Sequence, residues 1–310
     1  MGHLHHGALK MIRETVDGAP VLNTEHDDVC QGCVLGKYAK AYFPRSENKA
    51  ASILGLIHSD ICGPMSTNAL KGGKYFVTFI DDHSRKTWIY FLKTKDEVFK
   101  KFKEFKALVE NMMGKNIKTL HSDNGGEYID RDFTDFCAKE GIRREWTAPY
   151  NPEQNGVAER KNRTIVGAAK AMLFDLDLPR YLWAEACNTA MYIQNRTTHR
   201  ALSKKTPEEA FTGKKLEVGH LRIFGSMAYC HVPSEKRSML DQTTERGYLV
   251  GYSDTSKAYR IYIPDSRKVV IRRDVKFMED RAFQKSCDMS VEDQTAEVPL
   301  VQEQQGHKEE

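Results

Sequence analysis

The tripeptide His-Ser-Asp occurs twice, each time closing an apolar run: Ile53-Leu-Gly-Leu-Ile-His-Ser-Asp60 and Ile117-Lys-Thr-Leu-His-Ser-Asp123. Short apolar runs that end on an acid read as buried strands delivering a carboxylate to a sheet edge. A third acid, Glu159, follows Asp123 after an interval of 35 residues. It lies in Asn151-Pro-Glu-Gln-Asn-Gly-Val-Ala-Glu-Arg-Lys-Asn-Arg163, which begins as a loop because Pro149, Pro152 and Gly156 block regular structure. A helix then follows, with apolar positions at Ala158, Ile165, Ala168, Ala169, Met172, Leu173 and Leu176, mostly three or four apart. Glu159 stands in its first turns, and Arg163 and Lys170 fall within about 40° of it on the helical wheel. Two strand-end aspartates and a helix glutamate can converge at one edge of a sheet. There they suit two divalent ions, Mg²⁺ or Mn²⁺, and in-line displacement at phosphorus. Asp81, Asp82, Glu127 and Asp130 lie nearby; Asp82 is expected in a hairpin turn and Glu127 in the loop after Asp123.

The intervening segments predict an α/β domain with a mixed sheet. Tyr75-Phe-Val-Thr-Phe-Ile80 and Thr87-Trp-Ile-Tyr-Phe-Leu92 are β-branched and aromatic runs of strand length, joined by the polar Asp82-His-Ser-Arg85. Thr94 with Glu97 forms a capping-box pattern. It opens a helix with Val98, Phe102, Phe105 and Val109 on one stripe, and Gly114 ends it. Asn124-Gly-Gly126 makes a turn where glycines permit a close backbone approach. A short helix over about 132–140, a strand over 142–146, the Glu159 helix to about 178 and another from Tyr181 to about Thr197 complete the domain. Trp88, Trp146 and Trp183 are expected in its core.

Beyond residue 219 the pattern changes to strand-like runs at 222–232, 247–252, 259–263 and 269–275, which predict a small β-barrel. The last stretch, 281–310, is rich in Gln, Glu and Ser and reads as disordered and acidic. The formal charge is +4 overall, but residues 288–310 carry −6, so the rest stands at +10. A basic body fits a polyanionic partner. Arg160, Lys161, Arg163 and Lys170 are candidate phosphate contacts beside the acids, and Gln154, Asn155 and Gly156 a loop able to engage DNA. Arg260, Arg267, Lys268, Arg272 and Arg273 offer a further basic set on the barrel. No apolar run reaches the roughly 20 residues of a membrane span, and no signal peptide is visible. A nuclear and cytoplasmic, non-secreted setting is therefore expected. In such a compartment Cys30-Gln-Gly-Cys33 reads as a structural-zinc spacing rather than a disulfide.

Four linked segments carry a resemblance: His58-Ser-Asp-Ile-Cys-Gly-Pro64, Phe79-Ile-Asp-Asp-His-Ser-Arg85, His121-Ser-Asp-Asn-Gly-Gly-Glu-Tyr128 and Ala148-Pro-Tyr-Asn-Pro-Glu-Gln-Asn-Gly-Val-Ala-Glu-Arg160. Together they resemble the integrase of copia-type long-terminal-repeat retrotransposons, within the retroviral integrase superfamily, over roughly residues 1–280. The resemblance implies a ribonuclease-H-like catalytic core at 52–200, an SH3-like barrel at 219–280, and a zinc module at 1–45. It implies Asp60, Asp123 and Glu159 as catalytic metal ligands, DNA as partner, and assembly as a homo-oligomer. In the family the module is His-His-Cys-Cys, with its second histidine matching His3 beside Cys30 and Cys33. The first histidine would precede Met1, so the set within this chain is expected to be incomplete unless His5 or His6 substitutes. Three activities remain open: DNA integration, plain nuclease action in the same fold, and nucleic-acid binding without catalysis. The chain is expected to be a piece of a larger polyprotein or a degenerate copy.

Overall fold

A computed structural model describes residues 49–147, 155–232, 235, 237–240, 242–253 and 256–282. The expected zinc module, with His3, Cys30 and Cys33, lies outside these residues, as do Gln154 and all but the first two residues of the expected tail.

The first sheet is mixed and five-stranded. It comprises β1 (Ile57–Cys62), β2 (Tyr75–Asp81), β3 (Thr87–Leu92), β4 (Thr119–Ser122) and β5 (Arg143–Trp146), in the order β3-β2-β1-β4-β5. The first three strands run antiparallel; β4 and β5 add in parallel on the other side of β1. Parallel neighbours need crossovers, and α1 (Val98–Met113), α2 (Gly126–Ile129) and α3 (Arg131–Lys139) supply them. The stripe read from sequence on α1 is the buried one: Val98, Phe102, Phe105 and Val109. Phe105 stacks on Phe79 of β2, ring centroids 4.6 Å apart, and Trp88 of β3 meets it edge-on at 5.1 Å. Gly114 ends the helix at φ 62°, a conformation that costs glycine little.

Local departures from expectation have identifiable causes. The strand expected to end at Asp60 starts later, at Ile57, because residues 53–55 form a turn; Asp60 is therefore interior to β1. The Thr94/Glu97 capping box is not formed. The first turn is a 3₁₀ turn at Lys95–Glu97, Thr94 makes no side-chain cap bond, and Glu97 instead accepts from the Lys93 N–H at 2.6 Å. Trp146 is 44% exposed on the edge strand β5, outside the core, with the Arg144 guanidinium 5.3 Å from its ring.

Across the other face of the sheet lie α4 (Gly156–Asp175) and α5 (Trp183–Arg196), followed by α6 (Pro207–Thr212). The second sheet is antiparallel: β6 (Ser226–His231), β7 (Thr244–Tyr252), β8 (Tyr259–Ile263), β9 (Lys268–Arg272) and β10 (Val275–Ala282), in the order β10-β6-β7-β8-β9. The run expected as one strand over 269–275 is two, because residues 273–274 turn and β10 then pairs with β6. β10 also extends two residues into the stretch expected to be disordered.

The two sheets share one apolar cluster. Phe76 and Ile89 of the first sheet, Ile165 and Ala169 of α4, Trp183 and Ala190 of α5, and Met227, Tyr248 and Val250 of the second belong to it. Polar ties reinforce the seam: Arg260 grips Glu185 with two bonds of 2.6 and 2.7 Å, and the Thr189 hydroxyl donates to the Val250 carbonyl at 2.8 Å. Arg260 is thus committed to α5.

Candidate active site

The repeated tripeptide explains how two acids come together. On the parallel pair β1 and β4, His58 is the register partner of His121. One step on, Ser59 and Ser122 are both fully buried. One step further come Asp60 and Asp123, near enough for the Asp123 charge to act on Asp60. Asp60 is the fourth residue of β1, opposite Thr78 of β2; Asp123 follows the last residue of β4. The third acid comes from above the sheet, where Glu159 lies half-buried in the first turn of α4.

Electrostatics register this convergence. Burial pushes the Asp60 carboxyl up from 3.8 to about 7; the Asn162 amide opposes the shift, while the charges of Asp123 and Glu159 add to it. Asp123 is also raised, by burial first and by the charge of Glu127, against the Gly125 N–H and Lys95. That N–H donates to Asp123 Oδ1 at 3.2 Å. A Cβ at Gly125 would lie 2.8 Å from the Glu127 carboxyl carbon, so the glycine lets that side chain pack against the turn.

Two amides hold Asp60. Asn162 Nδ2 donates to Oδ2 at 2.8 Å and Asn155 Nδ2 to Oδ1 at 3.3 Å. The Asn162 carbonyl in turn accepts from the Thr78 hydroxyl at 2.8 Å, so β2, α4 and β1 are joined through one carboxylate. Neither Asn162 nor Thr78 is singled out by reading the chain. The available signal is that Asn162 falls in the apolar stripe between Ala158 and Ile165, where a polar residue needs a partner. Ser59 makes a further inward bond, 2.6 Å to the hydroxyl of the fully buried Tyr128.

The neighbouring acids take other work. Asp81 is fully buried and accepts from the Leu54 N–H and from the Ser84 N–H and hydroxyl at 2.6–2.8 Å. Asp82 accepts from the Ala50 N–H at 2.7 Å and meets His58 and Arg85 at 3.1 and 2.9 Å. Burial raises it, but these partners win and hold it at about 2. Both fix the hairpin turn and the chain before β1.

Among the described residues, no three His, Cys, Asp or Glu side chains stand close enough to hold one ion. The acids are a convergent set, not a closed cage. Their chemistry nonetheless fits a hard divalent cation. All donors are carboxylate oxygens, burial and then the charges of Asp123 and Glu159 lift Asp60, and Asn155 Oδ1 is a buried acceptor with no partner beside them.

The proposed phosphate contacts separate into two groups. Arg160, Arg163 and Lys170 are exposed on α4. Lys161 is half-buried, and burial brings its ammonium down to about 8. Asn155 is buried against Asp60, and Gly156 starts the helix beneath the Arg160 guanidinium, 3.0 Å from where a Cβ would lie. On the second sheet, Arg267, Lys268 and Arg273 are exposed while Arg260 is taken by Glu185.

Comparison with known proteins agrees with the architecture. Residues 52–152 match the integrase core domain, a span that includes Asp60 and Asp123 but stops before Glu159. Residues 226–291 match the retroviral polymerase SH3-like domain. The retrovirus-related Pol polyprotein of transposon TNT 1-94 from Nicotiana tabacum is 44% identical over 270 residues, 87% of this chain and 20% of that protein. The corresponding polyprotein of transposon RE2 from Arabidopsis thaliana is 32% identical over 284 residues, 90% of this chain and 19% of that one. The chain thus spans about a fifth of the curated relatives it matches. Among solved structures, the simian T-cell lymphotropic virus intasome in complex with the PP2A regulatory subunit B56 gamma is similar in fold. Its TM-score is 0.51 at 18% identity, over 89% of this chain and 95% of that one. With an integrase core domain, an SH3-like domain behind it and this degree of identity along most of its length, the chain belongs with the copia-type retrotransposon Pol polyproteins.

Proposed function

We propose that this chain is the DNA-joining part of its polyprotein, a divalent-metal-dependent polynucleotidyl transferase with Asp60, Asp123 and Glu159 as the metal ligands. One observation carries the reading: acids from β1, the end of β4 and α4 converge, and the Asp60 carboxyl, raised first by burial, is raised further by the charges of Asp123 and Glu159. When bound, Mg²⁺ or Mn²⁺ would activate the attacking hydroxyl and stabilise the leaving oxygen. The chain's own residues do the positioning. Asn162, steadied by Thr78, and Asn155 orient the Asp60 carboxylate. The exposed Arg160, Arg163 and Lys170 offer charge to phosphates on the same helix as Glu159. DNA as substrate and a homo-oligomer as the working form belong to the same proposal. A ribonuclease-H-like core fits the observed strand order, and a zinc module over residues 1–45 remains part of the proposal.

The test is strand transfer with purified protein, a duplex bearing the element end, and Mg²⁺ or Mn²⁺. Joined product is expected. Cleavage without joining would replace this reading with a nuclease, and retardation without either would replace it with a binding protein.

A further inference from the structure

Away from the acids, the turn between β2 and β3 and the segment after α5 border an open cavity of about 280 Å³. Lys49, His83, Ser203 and Lys205 line it, over an apolar floor that includes Leu202 and Ala210. No residue of the acid cluster takes part.

Two lysines line the cavity, and no acid is among its lining residues. Neither Lys49 nor Lys205 pairs with a described acid, and neither does the half-buried Lys161 nearby. Among the described residues, Asp82 is occupied by His58 and Arg85, and Glu208 by Lys86 at 2.7 Å. Arg85 keeps its Nε buried and without a partner. His199, at the start of the segment, reports the crowding. Its imidazole is held low by burial and then by the charges of Lys161, Arg85 and Lys49. Like charges gathered around a partly enclosed space repel one another at a cost that an anion bound between them removes. The Ser203 hydroxyl adds a neutral donor at the wall.

We infer that this cavity is a phosphate-binding site, taking either a backbone phosphate of a nucleic acid or a free phosphate-class anion. Two ammonium groups and a hydroxyl donor line the space and suit the several acceptor oxygens of a phosphate, whereas the His83 ring is already engaged through Nδ1 with the Ala50 carbonyl at 2.9 Å. None of the residues lining the cavity belongs to the acid cluster or to the helix that carries Glu159, so the site stands or falls separately from the joining reaction.

The experiment uses the full chain with EDTA present, so that the acids hold no metal. Pyrophosphate is titrated by calorimetry into the wild type, the Lys49→Ala/Lys205→Ala double variant and Ser203→Asp. The wild type is expected to bind, and the double variant to bind about tenfold more weakly or not at all. Ser203→Asp places a negative charge in the wall at a position of φ 45°, which aspartate tolerates, and is expected to abolish binding. It also serves if the double variant fails to fold. Pyrophosphate that displaces a bound duplex, with weaker duplex binding by the variants, assigns the site to backbone phosphate. Pyrophosphate binding that leaves the duplex in place assigns it to a free anion. No binding by the wild type, or equal binding by the wild type and a folded variant, overturns the inference.

Discussion

At the scale of single residues, the site is dominated by the difference between two aspartates. Asp82 is surrounded by donors and held at about 2, whereas Asp60 has burial and two like charges against it and sits at about 7. Both were visible as acids in the sequence, but their environments were not, because these depend on partners 24 to 102 positions away. The difference has a measurable consequence. The folded chain keeps a proton on Asp60 up to about pH 7, while the unfolded chain releases it near 3.8. Stability attributable to this group is therefore unpenalised below about pH 4, falls as pH rises, and reaches its full cost above about pH 7. Asp60→Asn mimics the protonated acid. Without divalent ions it is expected to match the wild type at pH 4 and exceed it at pH 8, by on the order of 2–4 kcal/mol. Thermal unfolding at the two pH values checks this; a gap that does not widen with pH would show that the carboxylate is not destabilised.

At the scale of elements, α4 holds most of the proposed site residues, and its pattern is the most legible in the sequence. Its apolar period gave the buried face, and its loop-to-helix boundary at Gly156 follows from the proline and glycine pattern before it. What periodicity does not show is that Asn162, inside the stripe, bridges Thr78 and Asp60. Asn162→Ala leaves both partners without their bonds in a buried place and is expected to cost about 1–3 kcal/mol. Arg163→Ala, one position on and exposed, is expected to stay within about 0.5 kcal/mol. Denaturant unfolding of the pair separates the two roles, and equal losses would remove the bridge from the account. The strand carrying Asp60 was read less well. An apolar run alone did not show that residues 53–55 turn, because the cause is the distant Asp81 carboxylate that takes the Leu54 N–H.

At the scale of the whole molecule, order and type of elements were legible, and their joining was not. The sequence separates an α/β region from a β-rich one, but the shared cluster around Phe76, Trp183 and Tyr248 and the Arg260–Glu185 clasp depend on tertiary contact. That clasp takes Arg260 out of the basic set proposed to meet DNA. With about 6 phosphates neutralised, log affinity for a duplex is expected to fall against log salt with a slope of roughly −5. Arg163→Ala is expected to reduce the slope by about one, whereas Arg260→Ala is expected to lower stability and leave the slope alone. Fluorescence anisotropy at several salt concentrations measures both, and a wild-type slope near zero would exclude phosphate contacts.

The central claim is that Asp60, Asp123 and Glu159 form one metal-dependent centre for joining DNA. Asp123→Asn tests it most directly, since the amide keeps the shape of the side chain and removes the charge of a ligand at the end of β4. The measurement is strand transfer by this variant and the wild type, at equal concentration and with matching circular dichroism, in Mg²⁺ and in Mn²⁺. The account predicts joined product from the wild type and none from Asp123→Asn with either ion. Joining by the folded variant at the wild-type rate would contradict it.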